Sequence, residues 1–169
     1  AGDYYTAGGG AIGGSSVTIE SCWFVANVVS SGITQNSSGG GVSVYEGHNR
    51  ITKCVFLGNK AEQGGAIFGG LGTVTVDGCT LVGNQSWTPD GVGGIALDYG
   101  GGTVNGVMLA YTEQGEACSG TSVTWSCSNL FGNVLGDEVC GIDGGNNLSV
   151  DPEFCAADPE TSRNVGIQS

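Results

Sequence analysis

The sequence predicts an all-β chain wound into a right-handed parallel β-helix of about five to seven rungs, with little or no helix. Three observations carry this. Glycine supplies 34 of 169 residues, scattered in pairs between short Val, Ile and Thr runs. No long stretch shows a 3.6-residue apolar period. One template of apolar, cysteine and asparagine positions recurs along the chain.

Glycine at this level, against a usual share of about 7 %, with no strict three-residue period, excludes collagen and signals many tight turns between short strands. Only 12 % of residues are charged and Pro numbers 3, which excludes a charged disordered tail or a proline-rich linker.

The template is anchored on Cys22, Cys54 and Cys79. Asparagine follows each anchor five residues later (Asn27, Asn59, Asn84), a large apolar residue two residues later (Phe24, Phe56, Leu81), and Ile19, Ile51 or Val76 comes three residues before. A fourth copy runs through Val104, Val107 and Leu109, with Thr112 in place of asparagine. A fifth runs through Trp125, Ser128, Leu130 and Asn133. Residues two apart in a strand share a face, so Cys22 and Phe24 point inward and Trp23 outward. The three-residue step from Ile19 to Cys22 breaks that alternation and marks a bend between two strands. Upstream lies a second element, Gly9-Gly10-Ala11-Ile12, Gly40-Gly41-Val42, Gly64-Gly65-Ala66-Ile67 and Gly93-Gly94-Ile95-Ala96. Each copy thus holds a Gly-Gly turn, a strand, a bend, a second strand and an Asn turn. One such coil cannot bury its apolar face alone; stacked coils can, and their backbone groups pair.

Asn27, Asn59, Asn84 and Asn133 are expected to be structural, tolerating a left-handed turn and bonding side chain to side chain along the axis. Cys22, Cys54 and Cys79 are expected to stack inside as small hydrophobes, so that Cys54→Ser would bury an unsatisfied hydroxyl. Seven cysteines in such a chain suggest an oxidising, extracellular or cell-surface setting. Cys127 falls off the inward register, Cys118 lies on the preceding connection, and Cys140 and Cys155 bracket the tail; the expected bridges are Cys118–Cys127 and Cys140–Cys155. Asn36, Asn84 and Asn147 open formal glycosylation sequons, and Asn84 is discounted as a ladder residue.

Gly-Gly-Ala-Ile together with Phe-x-x-Asn (Phe24–Asn27, Phe56–Asn59) resembles the paired repeats of the polymorphic outer-membrane proteins, within the pectate-lyase-like β-helix superfamily, over residues 9–133. The stretch 126–155 resembles the ends of bacterial secreted β-helix repeat proteins. The resemblance implies the fold; its members include lyases, hydrolases, adhesins and inert stalks, so it leaves function open. Lyases of that superfamily use Arg or Lys as base with acids holding Ca²⁺, and hydrolases use paired aspartates. Here Arg50, Lys53, Lys60 and Arg163 are the whole basic complement, and His48-Asn49-Arg50 is the one enzymatic candidate, against a plain polar turn.

The net charge of −12 lacks the cationic footprint that nucleic acid requires, and no apolar run reaches the length of a membrane-inserting span. No cofactor is required; Ca²⁺ is the one ion the acidic tail brings to mind, through Asp143 and Asp151. Rungs are widened at 28–38, 85–92 and 112–121, and the middle loop carries Trp87, a candidate for binding a polysaccharide or a cell-surface partner. Neither end shows an obvious cap, so Tyr4 and Tyr5 are candidates for a head-to-tail contact between copies. Residues 1–135 are assigned to the rungs and 136–169 to a loop-rich segment packed on the same solenoid, in a single domain. The function expected is a non-enzymatic extracellular structural protein, the subunit of a self-assembling surface filament or an adhesive stalk. The alternative is a polysaccharide lyase or glycoside hydrolase.

Overall fold

The computed structural model describes residues 7–8, 12–30 and 37–154. They form a parallel β-solenoid of about 4 turns, with no helix among them. The turn count falls below the five to seven rungs expected because five anchors enclose only four complete circuits.

Three parallel sheets make the walls. The first stacks Ile12–Gly14, Val42–Val44, Ile67–Gly69, Val92–Ala96 and Glu116–Ser119. The second stacks Thr18–Glu20, His48–Thr52, Thr73–Asp77, Gly101–Asn105, Val123–Ser126 and the short Ile142–Asp143. The third stacks Trp23–Val25, Val55–Leu57, Thr80–Val82, Met108–Ala110 and Asn129–Phe131. Lys60–Ala61 with Gln85–Ser86, and Ala7–Gly8 with Ser37–Ser38, add two short pairs.

Register follows the template. Ile19, Ile51, Val76, Val104 and Trp125 lie in one line across the second sheet. Phe24, Phe56, Leu81, Leu109 and Leu130 lie in one line across the third. All ten belong to one core cluster, and the Phe24 and Phe56 rings stack at 4.7 Å. The single-residue corner between these sheets is left-handed at every level: φ is 55° at Ser21, 52° at Lys53, 59° at Gly78 and Gly106, and 50° at Cys127. That corner is the physical content of the three-residue step. In the first sheet Ile67 pairs with Ile95, and Ile95 with Cys118. The Gly-Gly elements therefore align one residue differently from a straight superposition of Gly64-Gly65 on Gly93-Gly94.

Three expectations need correction. The stretch 112–121 is no widened loop, since Glu116–Ser119 is the fifth strand of the first sheet. The expected bridges Cys118–Cys127 and Cys140–Cys155 are replaced by Cys118–Cys140. The reason is burial: Cys118 occupies the inward position below Ile95 and is buried, whereas Cys127 sits exposed on a corner with a free thiol. Cys155 lies outside the described residues.

The third correction concerns the cap: the described residues after Asn133 finish the last rung. Asp137 takes the place of a further ladder residue: its Oδ1 accepts from the backbone N–H and the side-chain amide of Asn133, at 2.9 and 2.8 Å. Asn147 Oδ1 accepts from Ser128 N at 3.0 Å, and its amide donates to the Trp125 carbonyl at 2.9 Å. Ile142–Asp143 pairs with Thr124–Trp125, Leu148 bridges to Asn129, and the disulfide ties Cys140 beneath the first sheet. Among the described residues the irregular segment thus finishes the walls with side-chain acceptors, where no further full rung supplies carbonyls.

Candidate functional site

Two ladders run parallel to the axis. In the asparagine ladder, Asn27 N and Nδ2 donate to Asn59 Oδ1 at 3.0 and 2.9 Å, and Asn59 N and Nδ2 donate to Asn84 Oδ1 at 2.9 and 3.0 Å. The second amide hydrogen of Asn59 goes to the Phe24 carbonyl at 2.9 Å, and that of Asn84 to Phe56 at 3.0 Å. Thr112 interrupts the side-chain chain, but its backbone N–H still donates to Asn133 Oδ1 at 3.0 Å. Each Asn thus satisfies groups that a sharp turn would leave orphaned.

Beside it stand the anchors. Cys22 N donates to Cys54 Sγ, and Cys54 N to Cys79 Sγ, both at 3.4 Å. The Cys54 thiol returns a bond to the Thr52 carbonyl at 3.2 Å. Two rungs on, Val107 N donates to Ser128 Oγ at 3.1 Å, and that hydroxyl donates to the Ser126 carbonyl at 3.0 Å. The anchor position is therefore polar as well as small, and a hydroxyl there is satisfied; the unsatisfied hydroxyl expected of Cys54→Ser does not arise. Burial pushes the Cys79 thiol up to about 12 and raises Cys54 as well, the sulfur-directed backbone donors opposing the shift in both. Both thiols are accordingly poor nucleophiles.

The basic groups are dispersed among separate partners. Arg50 faces Asp77 at 3.9 Å and Lys53 faces Glu20 at 3.4 Å, both pairs solvent-exposed. His48 Nδ1 lies 2.6 Å from the Thr73 hydroxyl, and the neighbouring Asn49 is a buried strand residue, accepting from Val17 N and donating to the Glu46 carbonyl. So His48-Asn49-Arg50 alternates in direction along one strand, with Asn49 on the inner side. Asp77 is further held by the Asn105 amide at 2.8 Å. Glu20 and Asp77 end as partners of separate cations rather than as a carboxylate pair.

Trp87 is half-occupied by its own surroundings. The Lys60 ammonium sits 4.2 Å from the ring centroid, and the indole N–H donates to the Val29 carbonyl at 2.7 Å. Gln85, which accepts from Lys60 at 3.1 Å and donates to Glu113, completes a polar surround. The ring remains partly exposed. Tyr4 and Tyr5 lie outside the described residues, as does Asn36.

The two calcium candidates are on different walls. Asp143 Oδ1 accepts from Gly145 N and the Asn147 amide at 2.8 and 2.7 Å, closing a turn. Asp151 Oδ1 accepts from Glu153 N at 2.9 Å and the Tyr111 hydroxyl at 3.1 Å. Desolvation, and secondarily that carboxylate, raise the Tyr111 pKa. Among the described residues no group of three or more His, Cys, Asp or Glu is gathered for a metal. Asn147 proves as structural as Asn84, its amide spent on Ser128, Trp125 and Asp143.

The Cys118 position was legible but missed. Ala117-Cys118 repeats the small–large step of Ala66-Ile67, with cysteine in the isoleucine place, and Gly115 opens it. No protein-family model, curated protein or solved structure matches the chain, so of the resemblance to β-helix repeat proteins the parallel solenoid is the part that stands.

Proposed function

We propose that this chain is a non-enzymatic structural element of the cell exterior, an adhesive stalk rather than a catalyst. The observation that carries the reading is where its polar side chains are used. Asn27, Asn59, Asn84 and Asn133 serve the axial ladder, and Arg50, Lys53 and Lys60 each answer a different neighbour on a different wall or corner. General acid–base chemistry needs its groups converging on one reacting atom, and these diverge. The disulfide supports an oxidising location. The test is a depolymerisation screen on neutral and acidic polysaccharides, reading new reducing ends and unsaturated products. No turnover is expected. Turnover abolished by Arg50→Ala would replace this reading with the lyase one. Latex beads coated with the chain are expected to adhere to polysaccharide-bearing surfaces or to one another; inert beads would count against adhesion.

A further inference from the structure

The outer face of the third sheet carries two rows rich in apolar residues. One row along it reads Trp23, Val55, Thr80, Met108 and Asn129; the next reads Val25, Leu57, Val82, Ala110 and Phe131. In a chain of net charge −12, neither row holds a charged side chain. The chain itself closes the far end: the Asn129 amide grips the backbone of Val150 at 2.9 and 3.0 Å, and Phe154 lies against Tyr111, whose ring meets Phe131 edge-on. The near end stays open, with Trp23 61 % and Val25 50 % exposed and Val28 56 % exposed at its rim.

The geometry points to this open end as a docking face for a second copy of the same chain, two sheets packing face to face about a two-fold axis. The inference rests on the structural reading above and names the partner of that structure. Three arguments select the second copy. The face is flat and regular at about 4.8 Å per strand, the form that aligned sheet packing requires. It is self-complementary: under a two-fold, the Trp23 ring of one copy covers the Val25–Leu57 step of the other and receives the same in return. And it is an uncharged surface through which two acidic copies can meet with their carboxylates at the periphery. Trp23 alone offers on the order of 150 Å², and with Val25, Val28 and the partly exposed Leu57 and Val82 two such faces together stay below the roughly 1,000 Å² of a stable specific contact. The dimer is therefore weak. Its affinity rises with salt, since screening removes the repulsion between copies and leaves apolar burial intact.

Sedimentation equilibrium of the full chain at low and high salt tests this. A monomer–dimer equilibrium that tightens with salt is expected. Val25→Lys and Trp23→Ser should each weaken it by about tenfold or more, while Thr103→Lys, with the same charge change on the outer face of the second sheet, should leave it intact or slightly tighter. Both altered positions on the dimer face are exposed, and unchanged thermal melting confirms that the variants fold. A chain monomeric at millimolar concentration in high salt overturns the inference. So does equal weakening by Thr103→Lys, or association that salt weakens, which would indicate a charge-based contact. Open-ended polymers indifferent to Val25→Lys overturn the face while leaving the structural reading standing. Hydrogen exchange showing Trp23–Val25 protected in a strict monomer, with protection lost on deleting 155–169, would assign the face to the chain's own tail and overturn it as well. Catalytic turnover would sink the structural reading without bearing on association.

Discussion

Asn59 is the most exacting residue in the ladder, and its replacement by alanine should be expensive. The side chain is fully buried. Its Oδ1 receives the backbone N–H and the side-chain amide of Asn27, and its own amide reaches Asn84 Oδ1 and the Phe24 carbonyl. Alanine leaves the Asn27 N–H without its acceptor and the Phe24 carbonyl without its side-chain donor, each about 1–3 kcal/mol when shielded from water. Asn27 is only partly buried, so water recovers some of the first loss. The net expectation is about 2–4 kcal/mol. Asn59→Asp keeps the shape and still accepts from Asn27, but turns a second oxygen toward the Phe24 carbonyl and Asn84 Oδ1. It either buries a charge or forces protonation, and should cost more than alanine. Asn27→Ala, at the end of the ladder, removes the side-chain donor to Asn59 Oδ1 but keeps the backbone N–H that bonds the same oxygen, and should cost about 1 kcal/mol. Urea unfolding of the three variants, followed by circular dichroism at constant m, gives the ranking. Asn59→Ala within 0.5 kcal/mol of the parent, or Asn27→Ala costing more than Asn59→Ala, would refute the reasoning; roughly that margin is the resolution of such series.

Three further outcomes follow from the anchors and the cap. Cys54→Ser should cost less than about 1 kcal/mol, because serine at position 128 already accepts and donates in the equivalent place, whereas Cys54→Ala removes the acceptor of Cys22 N and should cost more; equal midpoints for the two variants would contradict this. The Cys79 thiol titrates at about 12 when folded, above its ordinary 9.0. The folded chain therefore keeps a proton that the unfolded chain loses, and this contribution is intact below pH 9 and declines by about 1.4 kcal/mol per pH unit through pH 12. Cys79→Ala should show a shallower alkaline loss of stability in urea titrations between pH 9 and 11, and parallel curves would argue against burial. Replacing both Cys118 and Cys140 by serine opens a crosslink spanning 22 residues and should cost roughly 3 kcal/mol, with hydrogen exchange accelerating first in 134–150; uniform acceleration across all rungs would show that the bridge does not act through the cap.

The walls were legible because their sequence signal is geometric. Period-two burial with one left-handed interruption admits few arrangements, and Ile19-x-x-Cys22-x-Phe24 records both parts of it. Asn59 and Asn84 could be read as ladder residues from their spacing alone. Beyond Asn133 this periodicity ends. Asp137 and Asn147 substitute single side chains for a rung, and nothing in their local sequence distinguishes a ladder terminator from an ordinary turn residue. The disulfide escapes the sequence pattern for a related reason: Cys118 lies on the inward register of the first sheet, and its partner Cys140 lies beyond the last repeat. The calcium candidates illustrate the limit of composition, since Asp137, Asp143 and Asp151, close in the sequence, each accept within their own separate turn.

The corners between the second and third sheets have a consequence for how such a chain can vary. Ser21, Lys53 and Cys127 accept a left-handed backbone that costs an L-residue roughly 1 kcal/mol, at places where Gly78 and Gly106 meet the same geometry freely. Lys53 gains an ion pair with Glu20 there, while Cys127 holds a reactive group in open solvent. The corners form a column of outward points, one per turn and about 4.8 Å apart, each followed directly by the inward anchor residue of its rung. A change of identity in that column alters what the molecule displays and leaves what holds it together untouched. Such a column is a writable margin: a chemist could load it position by position with labels or ligands at fixed intervals.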